Sequence, residues 1–180
     1  SIYQPIKYIV ELGGKRFRSS LALLSSDIFC NKPLKAINEA AAIELFHNFT
    51  LIHDDIMDEA PMRRGKSSVH KKWDTNIAIL SGDLLYAFVN KILASSPEQS
   101  PEIHLLFQQT AMEVCEGQSL DMEFEKSSKV SQDEYINMIK LKTAVLVGCA
   151  LKIGAIIGGA SKIDADLLYS FGVNLGIAFQ

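Results

Sequence analysis

The sequence contains only three cysteines, and their arrangement excludes a disulfide framework and a zinc site. Cys30, Cys115 and Cys149 lie far apart on apolar segments, without a Cys-x-x-Cys pair or a histidine at ligand spacing. Isolated cysteines of this kind are typical of reduced thiols in a cytoplasmic protein. We therefore expect three buried, reduced thiols and a cytoplasmic location.

A strong positive charge and a long unbroken apolar run are also absent. The net charge is −3 at pH 7, whereas nucleic-acid binding usually requires a strongly basic surface. The most apolar stretch, residues 143–160, is interrupted by Lys152 and several glycines, and a membrane helix needs a run of about 20 apolar residues. The N-terminus lacks the layout of a signal peptide. We expect a core helix here, no nucleic-acid partner, and a protein that is not integral to a membrane.

Helical periodicity runs through nearly all of the remaining sequence. Apolar residues recur at spacings of three and four, a proline opens one segment, and a Ser-x-x-Glu capping box opens another. These signals predict helices over residues 36–57, 75–95 and 101–124, from Ser131 onward, and from Asp164 to Gln180. Strand signals are weak and linkers are short. At 180 residues and 48% hydrophobic, the chain has room for one sizeable core, so we expect a single all-α domain, or part of one, over residues 1–180.

Three carboxylates within one helical turn mark the most informative segment. Asp54 and Asp58 are four residues apart and share a helix face, with Asp55 about 100° around the helix. The segment from Leu45 to this cluster is strongly apolar. Three acids this close together repel one another, and apolar surroundings reduce their hydration, so their charge requires a compensating interaction. Mg²⁺ prefers a few carboxylate oxygens together with water and phosphate oxygens, which makes a magnesium site one interpretation. The alternative is a solvated helix end that carries a few acids.

Two loops are rich in basic residues. Residues 13–18 read Gly-Gly-Lys-Arg-Phe-Arg, and residues 63–65 read Arg-Arg-Gly. Guanidinium groups form paired bonds with phosphate oxygens, and glycine lets the backbone approach a ligand. Taken singly, each loop is also explained by solvated charge or by positive charge at a helix C-terminus. One acidic cluster and two basic loops in a helical scaffold together suit chemistry in which a diphosphate leaves.

With these segments the sequence resembles the trans-isoprenyl diphosphate synthases (polyprenyl synthetases). The resemblance covers essentially the whole chain in the family's order. The matching segments are residues 13–18, 47–58, 63–65 with His70, 82–83, 117–118 with Asp121, 142–143 and 172–180. It implies an isoprenoid-synthase helical bundle around a central apolar cavity. It also implies a Mg²⁺-dependent short-chain synthase, of geranylgeranyl or farnesyl diphosphate synthase type. Such an enzyme condenses isopentenyl diphosphate with dimethylallyl, geranyl or farnesyl diphosphate.

The resemblance assigns roles residue by residue. Metal binding at the allylic diphosphate is assigned to Asp54 and Asp58, with Asp55 supporting them and Asp121 as a further carboxylate. Contacts with the allylic diphosphate and its reacting carbon are assigned to Arg63, Gln118, Lys142 and Thr143. The isopentenyl diphosphate site is assigned to Lys15, Arg16, His47 and Arg64, and substrate binding also to Gln180.

The apolar residues that precede the acidic cluster on its helix predict the chain length of the product. The growing prenyl tail is expected to run along the helix that carries Asp54, so the residues before Asp54 limit its depth. Phe49, five positions earlier, is a bulky aromatic, and Phe46 lies one turn deeper. An aromatic floor at Phe49 indicates a short product, and we favour geranylgeranyl diphosphate over farnesyl diphosphate.

The two ends of the sequence depart from the family. Family members carry a second aspartate-rich motif directly after a Phe-Gln pair that matches Phe179-Gln180, and this sequence ends at that pair. It also begins with Ser1 instead of methionine. We therefore expect a chain truncated at both ends that lacks the C-terminal helices and has little synthase activity by itself. The resemblance further implies a homodimer.

Three other functions match parts of this pattern. A type I terpene cyclase shares the aspartate motif and the helical fold, but it has no need for Lys15, Arg16 and Arg64. A non-catalytic regulatory subunit of a heteromeric prenyl synthase has no need for an intact aspartate motif. A Mg²⁺-dependent diphosphate hydrolase requires water access and no second substrate.

Four further residues have simpler explanations. Glu123 and Glu125 are interpreted as a solvated face near a helix end. His53 and His104 are interpreted as histidines that bind no metal.

Overall fold

A computed structural model describes residues 1–98 and 100–180 of the chain. These residues are almost entirely helical, which confirms the predicted all-α class. The α-helices are α1 (Tyr3–Glu11), α2 (Phe17–Cys30), α3 (Ile37–Met57), α4 (Val69–Lys72), α5 (Thr75–Ser95), α6 (Pro101–Phe124), α7 (Gln132–Ile139), α8 (Val145–Gly158) and α9 (Lys162–Phe179). A 3₁₀ turn spans Pro33–Ala36, a π-helical segment spans Lys140–Ala144, and an antiparallel hairpin pairs β1 (Met62–Arg63) with β2 (Lys66–Ser67).

Helix α8 forms the centre of the fold and is buried along most of its length. It packs mainly on α2 and α9, while α3 packs mainly on α5. The larger apolar cluster contains Phe46, Phe107 and Val145, and a smaller one contains Ile52 and Leu85. Helix α3 contributes to both clusters, so its acidic end is fixed relative to α5 and α8.

Two glycines of α8 let the neighbouring helices approach closely. A Cβ at Gly154 would collide with the carbonyl oxygen of Ala22 on α2, and a Cβ at Gly172 of α9 would lie 2.7 Å from the Cα of Gly148. These contacts explain the glycines that interrupt the most apolar stretch of the sequence. The stretch is the buried core helix that the sequence predicts.

The helix boundaries follow the cap signals at most positions. The capping box of Ser131 and Glu134 forms as predicted, and the side chain of Asp74 caps α5. The last helix begins at Lys162, so its predicted start at Asp164 is wrong by one half-turn. The cap is the hydroxyl of Ser161, which accepts a hydrogen bond from the Asp164 N–H.

The β1–β2 hairpin lies within residues 61–68, for which the sequence predicts only a linker. Arg64 (φ 53°) and Gly65 (φ 76°) both have positive φ, as in the type I′ turns that join tight hairpins. Asn or Gly usually occupies the first of these positions, so arginine there gives no hairpin signal. Each strand has two residues, which is too short to show alternation.

Only one of the three cysteines is buried, so the prediction of three buried thiols is wrong for the other two. Cys149 lies in the core, where burial raises the pKa of its thiol to about 12. Cys30 is half-buried and Cys115 is exposed. An apolar sequence neighbourhood does not show whether a residue lies on the buried or the exposed face of its helix. Cys115 lies on the exposed face of α6.

Two helices are long and apolar enough to cross a membrane, by length and composition alone: Thr75–Ser95 and the continuous helix Gln132–Gly158. The apolar part of Gln132–Gly158 is mostly buried among other helices. Core helices pass the same test, so this result carries little weight for either segment.

Candidate active site

The acidic cluster lies where α3 ends. Asp54 is in the last turn of the helix, and Asp58 directly follows the helix, with its N–H bonded to the Asp54 carbonyl oxygen at 2.8 Å. Burial raises the pKa of Asp54 to about 6; Lys142 opposes this shift, and the carboxylates of Asp58 and Asp55 add to it. Ionising Asp54 at neutral pH therefore has an energetic cost that a nearby cation would reduce.

Asp55 differs from its two acidic neighbours. Its side chain is completely buried, and its Oδ1 accepts a hydrogen bond from Nε of Arg63 at 2.9 Å and a second from a terminal nitrogen of the same guanidinium. Arg63 belongs to β1, so this ion pair ties the hairpin to the end of α3. Asp55 thus anchors Arg63 behind Asp54, which is half-buried, and Asp58, which is exposed.

Lys142 and Thr143 lie in the π-helical segment before α8, and both line the same cavity as Asp54. The Nζ of Lys142 forms an ion pair with Asp121 of α6 at 2.5 Å. Gly117 of α6 lies directly against this segment, because a Cβ there would collide with the backbone nitrogen of Lys142. π-Helical turns within α-helices are frequent at functional sites, and this one contains two predicted site residues.

An apolar cavity of about 430 Å³ extends from the acidic cluster into the fold. Its lining residues run along α3 from Met57 to His47 and along α6 from Met122 to Val114, with Arg18, Lys142, Thr143, Leu146, Phe179 and Gln180 on the remaining side. Gln118 is among the lining residues, and its buried Oε1 has no hydrogen-bond partner within the described part of the chain. The cavity is therefore charged at one end and apolar at the other.

Phe49 lines this cavity five residues before Asp54 on α3. Phe46, one turn earlier on α3, does not line it and is 1% exposed in the larger apolar cluster. Phe46 packs against the ring of Phe49 with centroids 5.5 Å apart. The side chain that faces the cavity is thus Phe49, and Phe46 supports it from behind.

A second cavity, of about 640 Å³, adjoins the first and is basic. Its cationic lining residues are Lys15, Arg16, Arg18, Arg63 and Arg64. The two cavities share a wall formed by Arg18, His47, Leu51, Thr143 and Phe179. Ligands in the two cavities would therefore lie next to each other.

Arg16 and Arg18 differ sharply in their surroundings. The guanidinium of Arg16 is used within the protein, because it donates to Oε1 of Glu44 at 2.7 Å and to the carbonyl oxygen of Val10 at 2.8 Å. The guanidinium of Arg18 lies 3.3 Å from Nε2 of His47, and its buried Nε has no partner among residues 1–98 and 100–180. Arg18 thus offers donors at the shared wall, and it is absent from the sequence-based assignment.

His47 is held neutral by its surroundings. Burial, and then the positive charges of Arg18, Arg64, Arg63 and Arg16, lower its pKa to about 3. Burial also lowers the pKa values of Arg18 and Arg64. Several buried or half-buried cations next to a neutral imidazole form a site that an anionic ligand would stabilise.

The two basic loops interlock at Gly14 and Arg64. A Cβ at Gly14 would lie 2.7 Å from a terminal nitrogen of Arg64, so the guanidinium occupies the space that a side chain would fill. Arg64 itself has the left-handed conformation of the hairpin turn, which is uncommon for residues other than glycine, asparagine and aspartate. The loop of residues 13–16 and the hairpin therefore position each other.

The acidic end suits Mg²⁺ only in part. Within the described residues, no three acidic, histidine or cysteine side chains converge with the geometry of a metal site. Asp54 and Asp58 offer two carboxylates, and Mg²⁺ is commonly held by one or two carboxylates plus substrate phosphates and water. Asp121, predicted as a further metal ligand, forms an ion pair with Lys142.

The structure brings most of the predicted residues together. The apolar cavity collects Asp54, Phe49, Gln118, Lys142, Thr143 and Gln180, and the basic cavity collects Lys15, Arg16, His47, Arg63 and Arg64. Sequence reasoning misses Arg18, because a run of cations does not reveal which one is neutralised inside the protein. The one signal that could have indicated which cation is neutralised is Glu44, which is buried and lies three positions before His47.

Comparison with known proteins agrees with this arrangement. The polyprenyl synthetase family profile matches residues 1–180. The geranylgeranyl diphosphate synthase of Methanosarcina mazei is 44% identical over 183 residues, covering 99% of this chain and 56% of that relative. The geranylfarnesyl diphosphate synthase of Natronomonas pharaonis is 38% identical over 198 residues, covering 99% and 58%. A crystal structure of a geranylgeranyl pyrophosphate synthase superposes with a TM-score of 0.95 at 50% identity, covering 99% of this chain and 55% of that one. The chain thus spans about half the length of the relatives it matches.

Proposed function

The chain belongs to the polyprenyl synthetase family, and on this basis we propose that the whole protein is a prenyltransferase that joins isopentenyl diphosphate to an allylic diphosphate. One observation carries the proposal: an acid-ended apolar cavity and a basic cavity share a wall. The allylic substrate occupies the first, with its hydrocarbon tail inside. Isopentenyl diphosphate occupies the second, and the shared wall places its alkene beside the allylic carbon.

The reaction replaces a carbon–oxygen bond with a carbon–carbon bond and releases a proton. The allylic carbon–oxygen bond ionises and diphosphate leaves; the alkene of isopentenyl diphosphate then attacks the allylic carbon and forms a carbon–carbon bond. Loss of a proton to the departed diphosphate completes the condensation. Asp54 and Asp58 would hold Mg²⁺, which would supply positive charge to stabilise the leaving diphosphate. The apolar lining excludes water that would otherwise trap the cation.

Lys142, Thr143 and Gln118 act at the reacting end of the allylic substrate. Lys142 lies between Asp121 and the acidic cluster, which places an ammonium group where the leaving diphosphate develops charge. Gln118 and Thr143 both line the cavity that also contains Asp54 and Lys142. Their oxygens suit a carbon that becomes positively charged. Arg63 lines the basic cavity, but its charge also acts on Asp54. Oriented by Asp55, it binds the allylic diphosphate from the hairpin side.

The basic cavity binds the diphosphate of isopentenyl diphosphate through Lys15, Arg18 and Arg64, with neutral His47 as a further donor. Arg16 contributes indirectly, because its bonds to Glu44 and Val10 hold the loop that carries Lys15. This assignment keeps the predicted site and changes one member, with Arg18 in place of Arg16 as the direct ligand.

Phe49 limits the product to a short chain, and we favour geranylgeranyl diphosphate. The support is that Phe49 lines a cavity of about 430 Å³, with Phe46 packed behind it. The relatives compared above carry the names of products of different lengths, so relatedness alone does not determine the product.

The protein also forms a homodimer in this proposal. Large apolar side chains are exposed on two adjacent helices, with Leu80 of α5 51% exposed, and Leu105 and Met112 of α6 69% and 58% exposed. Exposed apolar side chains of this size are the kind of surface that an interface buries. Analytical ultracentrifugation of the whole protein tests the dimer.

The 180-residue chain alone has little activity in this proposal, because its two available carboxylates provide only part of a metal-binding set. Release of inorganic diphosphate tests the function of the whole protein. A condensing enzyme releases diphosphate quickly only when an allylic diphosphate and isopentenyl diphosphate are both present. Equal release from the allylic diphosphate alone would instead indicate a hydrolase or a cyclase.

A further inference from the structure

A tyrosine of α5 packs against Phe49, which lines the apolar cavity. The ring of Phe49 is stacked against Tyr86 of α5, with centroids 5.4 Å apart and 29° between the planes. Phe46 packs at a tilt against the same tyrosine, at 6.0 Å. Tyr86 does not line the cavity, so it forms a second layer behind Phe49.

His53 holds Phe49 from the side nearer the acidic cluster. It lies one turn after Phe49 on α3, and the two rings meet edge-to-face with centroids 4.7 Å apart. A Cβ at Gly82 of α5 would collide with the imidazole, so the ring lies where α5 has no side chain. Gly82 and Tyr86 are one turn apart, and together they form the surface of α5 that receives His53 and Phe49.

Tyr86 is itself held by a closed ring of side-chain hydrogen bonds between α5 and α6. Its hydroxyl donates to Oε1 of Gln108 at 2.8 Å. Nε2 of Gln108 donates to Oδ1 of Asn90 at 2.6 Å, and Nδ2 of Asn90 donates back to the Tyr86 carbonyl oxygen at 2.9 Å. Moving the tyrosine ring would break bonds in a network whose members support one another.

We propose that Tyr86 is a positioning residue that determines product length, because it holds the ring of Phe49 in the wall of the cavity. This inference rests on the proposed prenyltransferase function and adds a residue outside the cavity to it. Without the Tyr86 ring, Phe49 rotates into the space between α3 and α5, and the cavity deepens. The Gln108–Asn90 pair prevents this rotation by fixing Tyr86.

The test is the chain length of the products that the whole protein makes from farnesyl diphosphate and isopentenyl diphosphate. Tyr86→Ala is expected to shift the main product upward by at least one isoprene unit. Tyr86→Phe keeps the stacked ring and is expected to retain the wild-type main product. Phe88→Ala is the matched control, because Phe88 is on the same helix but packs against Tyr3, with centroids 6.3 Å apart. It is expected to leave product length unchanged.

Gln108→Leu provides a second, milder variant in case Tyr86→Ala does not fold. It breaks the hydrogen-bond ring but keeps the tyrosine, and it is expected to extend the product distribution to longer chains. A purely structural role for Tyr86 would lower turnover and stability without changing product length. If Tyr86→Ala or Gln108→Leu folds and makes products of wild-type length, the proposal is overturned and the proposed function remains intact. A wild-type protein that forms no prenyl product would overturn both.

Discussion

The guanidinium of Arg63 is held by the completely buried carboxylate of Asp55, with Nε 2.9 Å from Oδ1. The second carboxylate oxygen, Oδ2, is buried and has no partner within the described residues, so this ion pair supplies all of the side-chain hydrogen bonds that Asp55 accepts there. The aspartate in the middle of the acidic cluster is thus a structural anchor for an arginine of the neighbouring hairpin. Its two neighbours remain available to a ligand.

Arg63→Met should destabilise the protein, because it leaves a buried carboxylate unpaired. Loss of one partner from a buried ion pair costs about 3 kcal/mol or more. Asp55→Asn combined with Arg63→Met removes both charges and should recover part of that loss. Urea unfolding of the wild type, the two single variants and the double variant measures the coupling. Additive effects of the two substitutions would show that the pair contributes no interaction energy.

Asp54→Asn should stabilise the metal-free protein near neutral pH and not in acid. The pKa of Asp54 is raised to about 6 in the fold, above its value in the unfolded chain. The contribution of Asp54 to the free energy of unfolding is therefore fully present at a pH below the pKa of this group in the unfolded chain. It is lost as the pH rises through about 6. The variant should gain on the order of 1–3 kcal/mol relative to wild type at about pH 8, and nothing at about pH 3.5.

The matched control for this prediction is Asp58→Asn, at an exposed position beside the same site. It should change the metal-free stability little at either pH. Both variants should reduce the stabilisation of the protein by added Mg²⁺ in the presence of an allylic diphosphate. Thermal unfolding across pH, with and without these ligands, measures all three effects. An Asp54→Asn advantage that persists in acid would contradict the assigned pKa shift.

Gly14→Ala should weaken binding of isopentenyl diphosphate by displacing Arg64. The added Cβ would lie 2.7 Å from the guanidinium, so the side chain must leave its place in the basic cavity. We expect KM for isopentenyl diphosphate to rise about tenfold, equivalent to the loss of roughly 1.4 kcal/mol of binding. The KM for the allylic substrate should change much less.

Gly13→Ala is the control for Gly14→Ala. Gly13 also has a positive φ, of 77°, but a Cβ there meets nothing within 4 Å. Its substitution therefore brings backbone strain without displacing Arg64. Steady-state kinetics with each substrate varied in turn compares the two variants. Equal increases in KM would show that strain in the loop, and not the position of Arg64, causes the effect.

Gly117→Ala should lower kcat, because it pushes the π-helical segment that carries Lys142 away from α6. A displacement of about 1 Å at a catalytic group commonly costs on the order of 10²-fold in rate. Gln109→Ala, at an exposed position of the same helix, should leave kcat unchanged. Circular dichroism confirms that both variants fold. A Gly117→Ala enzyme with normal kcat would show that the position of Lys142 tolerates this change.

The sequence predicts the helices well because their signals are local. Apolar spacing, Pro101 and the Ser131–Glu134 box act within one or two turns, and the structure has helices at these positions. The errors arise where distant contacts decide. The turn at Arg64 and Gly65 depends on a hairpin held by Asp55, and the exposure of Cys115 depends on where α6 faces its neighbours.

The same distinction applies to the candidate site. The resemblance to a known family is sufficient to select Asp54, Lys142 and Phe49, which the structure places around one cavity. It does not distinguish Arg16 from Arg18, because the difference is the ion pair that Glu44 forms with only one of them. Likewise, the pairing of Asp121 with Lys142 joins residues 21 positions apart. A pattern of charges therefore locates a site, and the internal ion pairs show which charges are free to bind.

The account depends most directly on whether the whole protein transfers label from isopentenyl diphosphate into a longer prenyl diphosphate. With farnesyl diphosphate as primer and Mg²⁺ present, we predict that labelled geranylgeranyl diphosphate is the main product, identified by mass spectrometry. Arg18→Gln should raise KM for isopentenyl diphosphate, and Arg16→Gln should act mainly on stability. Consumption of farnesyl diphosphate without incorporation of label, in a folded protein with Mg²⁺ present, would contradict the two-site account.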